Sequence, residues 1–216
     1  MNHQTSLLDL ACGHGRHGNA LATDALRVVG VDRSAAFINL ARDQVQSLGI
    51  DNAEYITADI HQIEFDAEFD RAILLNTVFG LASEEVDCQL FNRINRALKP
   101  AGLFCFDIIN RDTIFVDFQP DHILERDGNF LLDRLTFDVE TGRMTNERVY
   151  MRNGRTTHAP FSMRLYNYSE IKALLAGAGF RIARIFADWY ATPMMWNSKK
   201  MVIIAEKSQD TQACSK

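Results

Sequence analysis

The 216-residue chain is 47% hydrophobic and 24% charged, the composition of a globular protein large enough to close a core around a sheet, which excludes a disulfide-held mini-protein and a disordered tail. A formal charge of −5 argues against a partner held by phosphate neutralisation, so nucleic acid is disfavoured. The longest apolar runs, 72–75 and 201–205, fall far short of the roughly 20 residues of a membrane-spanning helix, so no membrane association is expected.

Residues 1–6 carry no basic segment, so no signal peptide is expected. From residue 7 to about 109, short apolar runs alternate with helix-period stretches, the rhythm of a parallel sheet with helices on its faces. The pattern predicts strands over 7–11, 27–31 and 55–58 and a helix over 16–26. A second helix, 34–48, opens on an N-cap serine, Ser34, and stops at Gly49. The apolar run 69–75 suits a central strand buried on both faces. A helix over 83–98 follows, Pro100, Ala101 and Gly102 break it, and 103–109 form a fifth strand.

Between 111 and 165 the period changes to two, with hairpin turns at Asp127-Gly128-Asn129, Thr141-Gly142 and Asn153-Gly154. A small antiparallel sheet is expected there. A helix over 169–178, strands over 180–185 and 201–205, and a polar, frayed tail over 207–216 complete the chain. The organisation expected is a ligand-binding core over 1–110, an antiparallel insertion over 111–165 serving as substrate cap or dimer element, and completion of the core over 166–206. Cys12, Cys88, Cys105 and Cys214 form no C-x-x-C pair, so no metal site is expected and reduced thiols in a cytoplasm fit best.

The turn after the first strand is the most informative segment. Gly13, Gly15 and Gly18 satisfy G-x-G-x-x-G, and Asp32 ends the second strand where a ribose-binding carboxylate belongs. On that pattern an NAD-dependent oxidoreductase stays open. Three features point elsewhere: the carboxylate of Asp9 inside the preceding strand suits a cationic ligand, His14, Arg16 and His17 crowd a turn that pyrophosphate loops keep small, and Asp9-x-Ala11-x-Gly13-x-Gly15 resembles motif I of the class I S-adenosylmethionine-dependent methyltransferases.

The resemblance continues in chain order. Val29-Gly30-Val31-Asp32-Arg33-Ser34 is similar to the second motif, Thr57-Ala58-Asp59-Ile60 to the third, Phe69-Asp70-Arg71-Ala72-Ile73-Leu74-Leu75-Asn76 to the fourth-strand motif, and Leu98-Lys99-Pro100-Ala101-Gly102 to the turn before strand five. Tyr168-Ser169-Glu170-Ile171 and Ala178-Gly179-Phe180 resemble the late helix and turn of bacterial small-molecule members. The resemblance implies a Rossmann-like α/β fold, a doubly wound, mostly parallel seven-stranded sheet with the antiparallel sheet inserted after strand five. It also implies S-adenosyl-L-methionine as cofactor, S-adenosyl-L-homocysteine as product, and methyl transfer to a small molecule by in-line displacement. Asp32 would take the ribose hydroxyls and Asp59 the adenine amino group. The cofactor residues expected are Asp9, Ala11, Gly13, Gly15, Arg16, Asp32, Arg33, Asp59, Ile60 and Asn76. A non-catalytic cofactor-binding or partner-binding protein is the other alternative. Only six residues precede Leu7, where the family usually carries covering helices, so either this chain starts late or another element closes the site.

Phe79, Arg164 and Tyr166 are the substrate-contact candidates. Residues 141–165 carry five arginines (Arg143, Arg148, Arg152, Arg155 and Arg164) against Glu147 alone. That excess suits a carboxylate or phosphate on the acceptor, against the competing reading of a solvated hairpin face. No catalytic residue is assigned. His14, His17, His158, Tyr166 and Tyr168 are the side chains able to act as base. A homodimer through the inserted sheet is compatible with the sequence.

Overall fold

The computed structural model describes residues 3–116 and 118–208. Seven strands form the main sheet: β1 (Ser6–Leu10), β2 (Arg27–Asp32), β3 (Ala53–Thr57), β4 (Phe69–Leu74), β5 (Leu98–Ile109), β11 (Phe180–Phe186) and β12 (Lys200–Lys207). Their order is β11-β12-β5-β4-β1-β2-β3. Pairings from β3 through β5 are parallel, while β12 lies antiparallel between β5 and β11.

Helices α1 (Arg16–Ala22), α2 (Ala35–Leu48), α3 (Glu84–Ala97) and α5 (Tyr168–Gly177) join these strands. The Ser34 hydroxyl accepts from Phe37 N–H, Ser83 accepts from Val86 N–H, and Gly49 ends α2 at φ 64°. Asn167 and Glu170 form a reciprocal capping box on α5. The helix expected over 16–26 stops at Ala22: Thr23 Oγ1 bonds back to Ala20 O, and Leu26 N–H is taken by Thr5 O beside β1. The fifth strand starts earlier than expected. Phe69 pairs with Leu98 and Arg71 with Leu103, so 100–102 bulge out within the strand, with Ala101 at φ 60°.

The largest apolar cluster fills the side of the sheet under α3 and α5. Phe79 stacks on Phe91 at 4.3 Å and Phe104 on Phe106 at 4.7 Å, with Tyr166, Ile171, Leu175 and Ile203 buried around them. After β5 a short α4 (Arg111–Ile114), absent from the sequence expectation, leads into a five-stranded antiparallel sheet of β6 (Asp121–Arg126), β7 (Asn129–Asp138), β8 (Arg143–Arg152), β9 (Arg155–His158) and β10 (Phe161–Arg164). Two of its turns fall at Asp127-Gly128 and Asn153-Gly154, all four residues at positive φ, and the turn between β7 and β8 ends on Gly142 at φ 63°. One face packs through Leu135, Phe137, Met144 and Met163 against Ile109 and Ile114. Of the tail expected to fray over 207–216, Lys207 instead closes β12 and donates to Asn95 O and Leu98 O, while 209–216, with Cys214, lie outside the described residues.

Candidate functional site

From β1 the chain runs outward through β2 to β3, then returns to the other side of β1 as β4. Open α/β sheets bind ligands at the crevice such a reversal opens. Its floor is Ala11 after β1 and Asn76 after β4, non-glycine residues held at φ 51° and 68°, with Thr77 at 56°. Such backbones cost about 1–3 kcal/mol each and persist only where their surroundings impose them. At Asn76 and Thr77 the imposing group is Asp107, 1% exposed near the end of β5. Its Oδ1 accepts from Asn76 N–H at 2.7 Å and Thr77 N–H at 3.3 Å; its Oδ2 accepts from Thr77 Oγ1 at 2.9 Å and Lys200 Nζ at 3.2 Å.

The crevice is lined by Asp9, Ala11, Cys12, Gly13, His14, Arg16, His17, Leu75 and Asn76. Through Ala11 it meets a cavity of about 460 Å³ over the ends of β2 and β3, lined by Asp32, Arg33, Asp59, Ile60 and His61. Val78 and Leu81 after β4, with Phe161 and Ser162 of β10, form its remaining wall. The inserted sheet therefore helps to enclose this cavity.

Asp32 shapes the loop it faces: Oδ2 accepts from Gly13 N–H at 2.9 Å and Oδ1 from Ser34 N–H at 2.8 Å. Asp59 caps the turn Ile60–Gln62, its Oδ1 accepting from His61 N–H and contacting His61 Nδ1, both at 2.9 Å. These bonds hold Asp59 below the usual carboxylate range, while Asp87 and Asp59 lift the His61 imidazole. Asp9 is the opposite case. It is 2% exposed, its Oδ2 has no hydrogen-bond partner among the described residues, and burial pushes its carboxyl up to about 7, with the Gly18 amide opposing and the Asp32 charge adding. A buried acid lacking a partner at one end and two further acids along the cleft fit a nucleoside joined to a cationic amino-acid group.

The ten expected cofactor residues thus fall on one cleft or on the loop beneath it; Gly15, at φ 80°, caps α1 against the Tyr55 ring. The substrate candidates separate from it. Phe79 and Tyr166, each 2% exposed, are core residues: the Phe79 ring stacks on Phe91 and meets Phe106 edge-on, and the Tyr166 ring packs against Phe79. Arg164 is consumed internally, donating to Leu165 O and Glu170 Oε1 with its guanidinium over the Tyr166 ring. Arg143 donates to Gly80 O, Ala82 O and Ser162, and Arg148 pairs both nitrogens with Asp133. The basic excess of 141–165 is therefore largely structural. Of the candidate bases, His14 and His17 reach the crevice, His158 lies on β9 and Tyr168 opens α5. Sequence reading missed Asp107, Lys200, Phe161 and Ser162; a carboxylate within the apolar run 103–109 was the signal available for the first.

Residues 7–102 match a family model described as a methyltransferase domain. The cypemycin N-terminal methyltransferase of a Streptomyces species is 26% identical over 211 residues, 94% of this chain and 83% of that protein. Among solved structures, an S-adenosylmethionine-dependent methyltransferase from Clostridium acetobutylicum superposes with a TM-score of 0.84 at 18% identity, covering 94% of this chain and 84% of that one. The amino pentose methyltransferase CalS10 of Micromonospora echinaspora, solved with S-adenosylmethionine bound, gives 0.70 at 19% identity, covering 94% and 84%. These structural likenesses speak to the fold, and the domain match to its chemistry, so the nicotinamide reading of Gly13, Gly15 and Gly18 is set aside. Residues 7–102 are thus a methyltransferase domain, and the fold built around them is that of the S-adenosylmethionine-dependent methyltransferases.

Proposed function

We propose that this enzyme methylates a small-molecule acceptor by in-line displacement, with the cleft over β1 to β4 as its donor site. The observation that carries the reading is the order of acids along that cleft: Asp59 and Asp32 at one end and Asp9, one of whose buried oxygens has no partner among the described residues, at the other. Asp32 accepts from the ribose hydroxyls, Asp59 from the adenine amino group with Ile60 as its apolar floor, and Arg33 borders the nucleoside end. Ala11, Gly13 and Gly15 bring the backbone close, Arg16 answers a carboxylate, and Asn76 faces the end where the methyl leaves.

The bound cofactor supplies a methyl carbon already activated by its sulfonium, so the protein's work is to orient the acceptor and exclude water. Burial, with Arg16 and His14, holds His17 below its ordinary value, neutral at pH 7 and able to accept a proton beside Asn76. The named relatives are a cypemycin N-terminal methyltransferase and an amino pentose methyltransferase, which supports a discrete acceptor. Among the described residues no helix is long and apolar enough to cross a membrane. Cys12, Cys88 and Cys105 are free thiols, in keeping with the cytoplasm as the place of reaction.

Calorimetric titration with S-adenosylmethionine, S-adenosylhomocysteine and NAD tests the donor site. Saturable binding of the two sulfur nucleotides without NAD is expected. NAD binding alone, or no binding, overturns it.

A further inference from the structure

Asp107 joins two spaces. On one side it holds Asn76 and Thr77 at the donor crevice; on the other it accepts from Lys200, which lines a separate cavity of about 350 Å³ between the end of β5, α4 and the inserted sheet. That volume suits a small bicyclic molecule, within the usual range of ligand pockets. Ile109, Ile114, Leu135 and Met144 wall it, the exposed side of the apolar cluster that fastens the insertion to the core. Its charged and titratable groups are Lys199, Lys200 and His122, with Thr113 and Gln119 as neutral polar neighbours. The Lys200 side chain is 47% exposed and pairs with a carboxylate already engaged by three other donors. Its charge is therefore only partly answered.

Arg143, Arg148 and Arg164 are all bound to protein groups, and among the described residues no arginine fork of the kind that grips a phosphate lines this cavity. We infer that the cavity beside Lys200 is the acceptor pocket, and that it takes an apolar aromatic body carrying one ionisable hydroxyl, of the phenol or naphthol class. The inference rests on the methyltransferase reading. An aryl hydroxyl is acidic enough for a neighbouring ammonium to favour its anion, which an aliphatic alcohol is not. The proton leaves to solvent; the oxygen–carbon bond then forms as the carbon–sulfur bond breaks, with that electron pair remaining on sulfur as a neutral thioether.

The test uses 2-naphthol and naphthalen-2-ylmethylammonium, the same body with opposite polarity at its head, titrated by fluorescence with and without saturating S-adenosylhomocysteine. Saturable binding of 2-naphthol, about tenfold tighter than the ammonium compound, is expected; a tenfold ratio corresponds to about 1.4 kcal/mol. Ile114→Asp places a charge in the wall and is expected to weaken 2-naphthol at least about tenfold. Ile123→Asp, on the opposite face of the inserted sheet by strand alternation, is expected to leave it unchanged. Lys200→Met keeps the apolar walls and is expected to erase the preference between the two probes, which separates recognition from a folding defect; circular dichroism melts check each variant. Absence of saturation by 2-naphthol, equal binding to Ile114→Asp, or a preference that survives Lys200→Met overturns the proposal. Failure of the donor reading is distinct: S-adenosylhomocysteine then binds no form, whatever the naphthols do.

Discussion

Asp9 sits at 2% exposure in β1 with its carboxyl pushed up to about 7, whereas an unfolded aspartate titrates near 3.8. Between those values the native protein keeps a proton that the unfolded chain has released. Its stability contribution is therefore present at low pH and is lost as pH rises through the window, by an amount on the order of 4 kcal/mol, with no further change above it. Asp9→Asn removes the titration. Thermal melts should show the parent losing ground to that variant between about pH 4 and pH 7; parallel curves would remove Asp9 from the account. A cation beside the carboxylate reverses its preference, so donor binding near pH 6 should expel a proton, seen as binding enthalpies that depend on the ionisation heat of the buffer. Asp32 lies at the other end of the cleft, where its two oxygens accept from Gly13 and Ser34 backbone amides with lone pairs to spare. Asp32→Ala should cost about 1.5–3 kcal/mol in S-adenosylmethionine binding, the range for hydrogen bonds to a charged group; unchanged affinity by calorimetry would place the ribose elsewhere.

At the scale of elements, β2 and β3 hold the glycine loop through one aromatic side chain. Tyr55 on β3 is 3% exposed and donates its hydroxyl to Asn19 Oδ1 at 2.6 Å, under α1. A Cβ on Gly30 of β2 would stand 2.4 Å from the Tyr55 ring. Gly30→Ala should therefore destabilise the chain by about 1–3 kcal/mol, the usual penalty of overpacking. In a Tyr55→Leu background the same substitution should cost less, and equal costs by chemical denaturation would show that the ring is not what it meets. Elements of this kind were legible because their signals are local. Ser34, Gly49, Ser83 and the turn residues Asp127-Gly128 and Asn153-Gly154 act on backbone groups a few positions away. Asp9, Asp32 and Asp59 were legible for a related reason, since a carboxylate within or just after an apolar run stands out from the pattern of a strand. The substrate side was not legible. An aromatic at Phe79 or Tyr166 has the same pattern whether it packs in a core or faces a ligand, and a count of arginines does not say which of them find carbonyls. Asp107 and Lys200 gain their meaning from a contact spanning 93 positions, beyond the reach of any local spacing.

On the scale of the whole molecule, the inserted sheet is fastened at one end only. Ile109, Ile114 and Leu165 pack on its near face, Arg111 N–H donates to Tyr166 O across its two roots, and Arg143 ties β8 to the loop after β4 through Gly80 O and Ala82 O. Toward the turns at Asp127-Gly128 and Asn153-Gly154, β6 and β9 are exposed at every residue. Opening free energy follows burial and local contact density, so amide exchange should be slowest in β1, β4, β5 and β12 and fastest in β6 and β9. The donor cleft crosses this gradient at a single place, because Phe161 and Ser162 of β10 share it with Val78 and Leu81 while the outer strands do not reach it. S-adenosylhomocysteine should therefore slow exchange around Gly13, Arg33 and Ile60, and also at Leu81 and Ser162, with no change at the two outer turns. Protection confined to the first three would mean that the insertion does not enclose the donor. Protection spreading to the outer turns would mean that the five-stranded sheet moves as one body on binding, a coupling that its single fastened end cannot transmit.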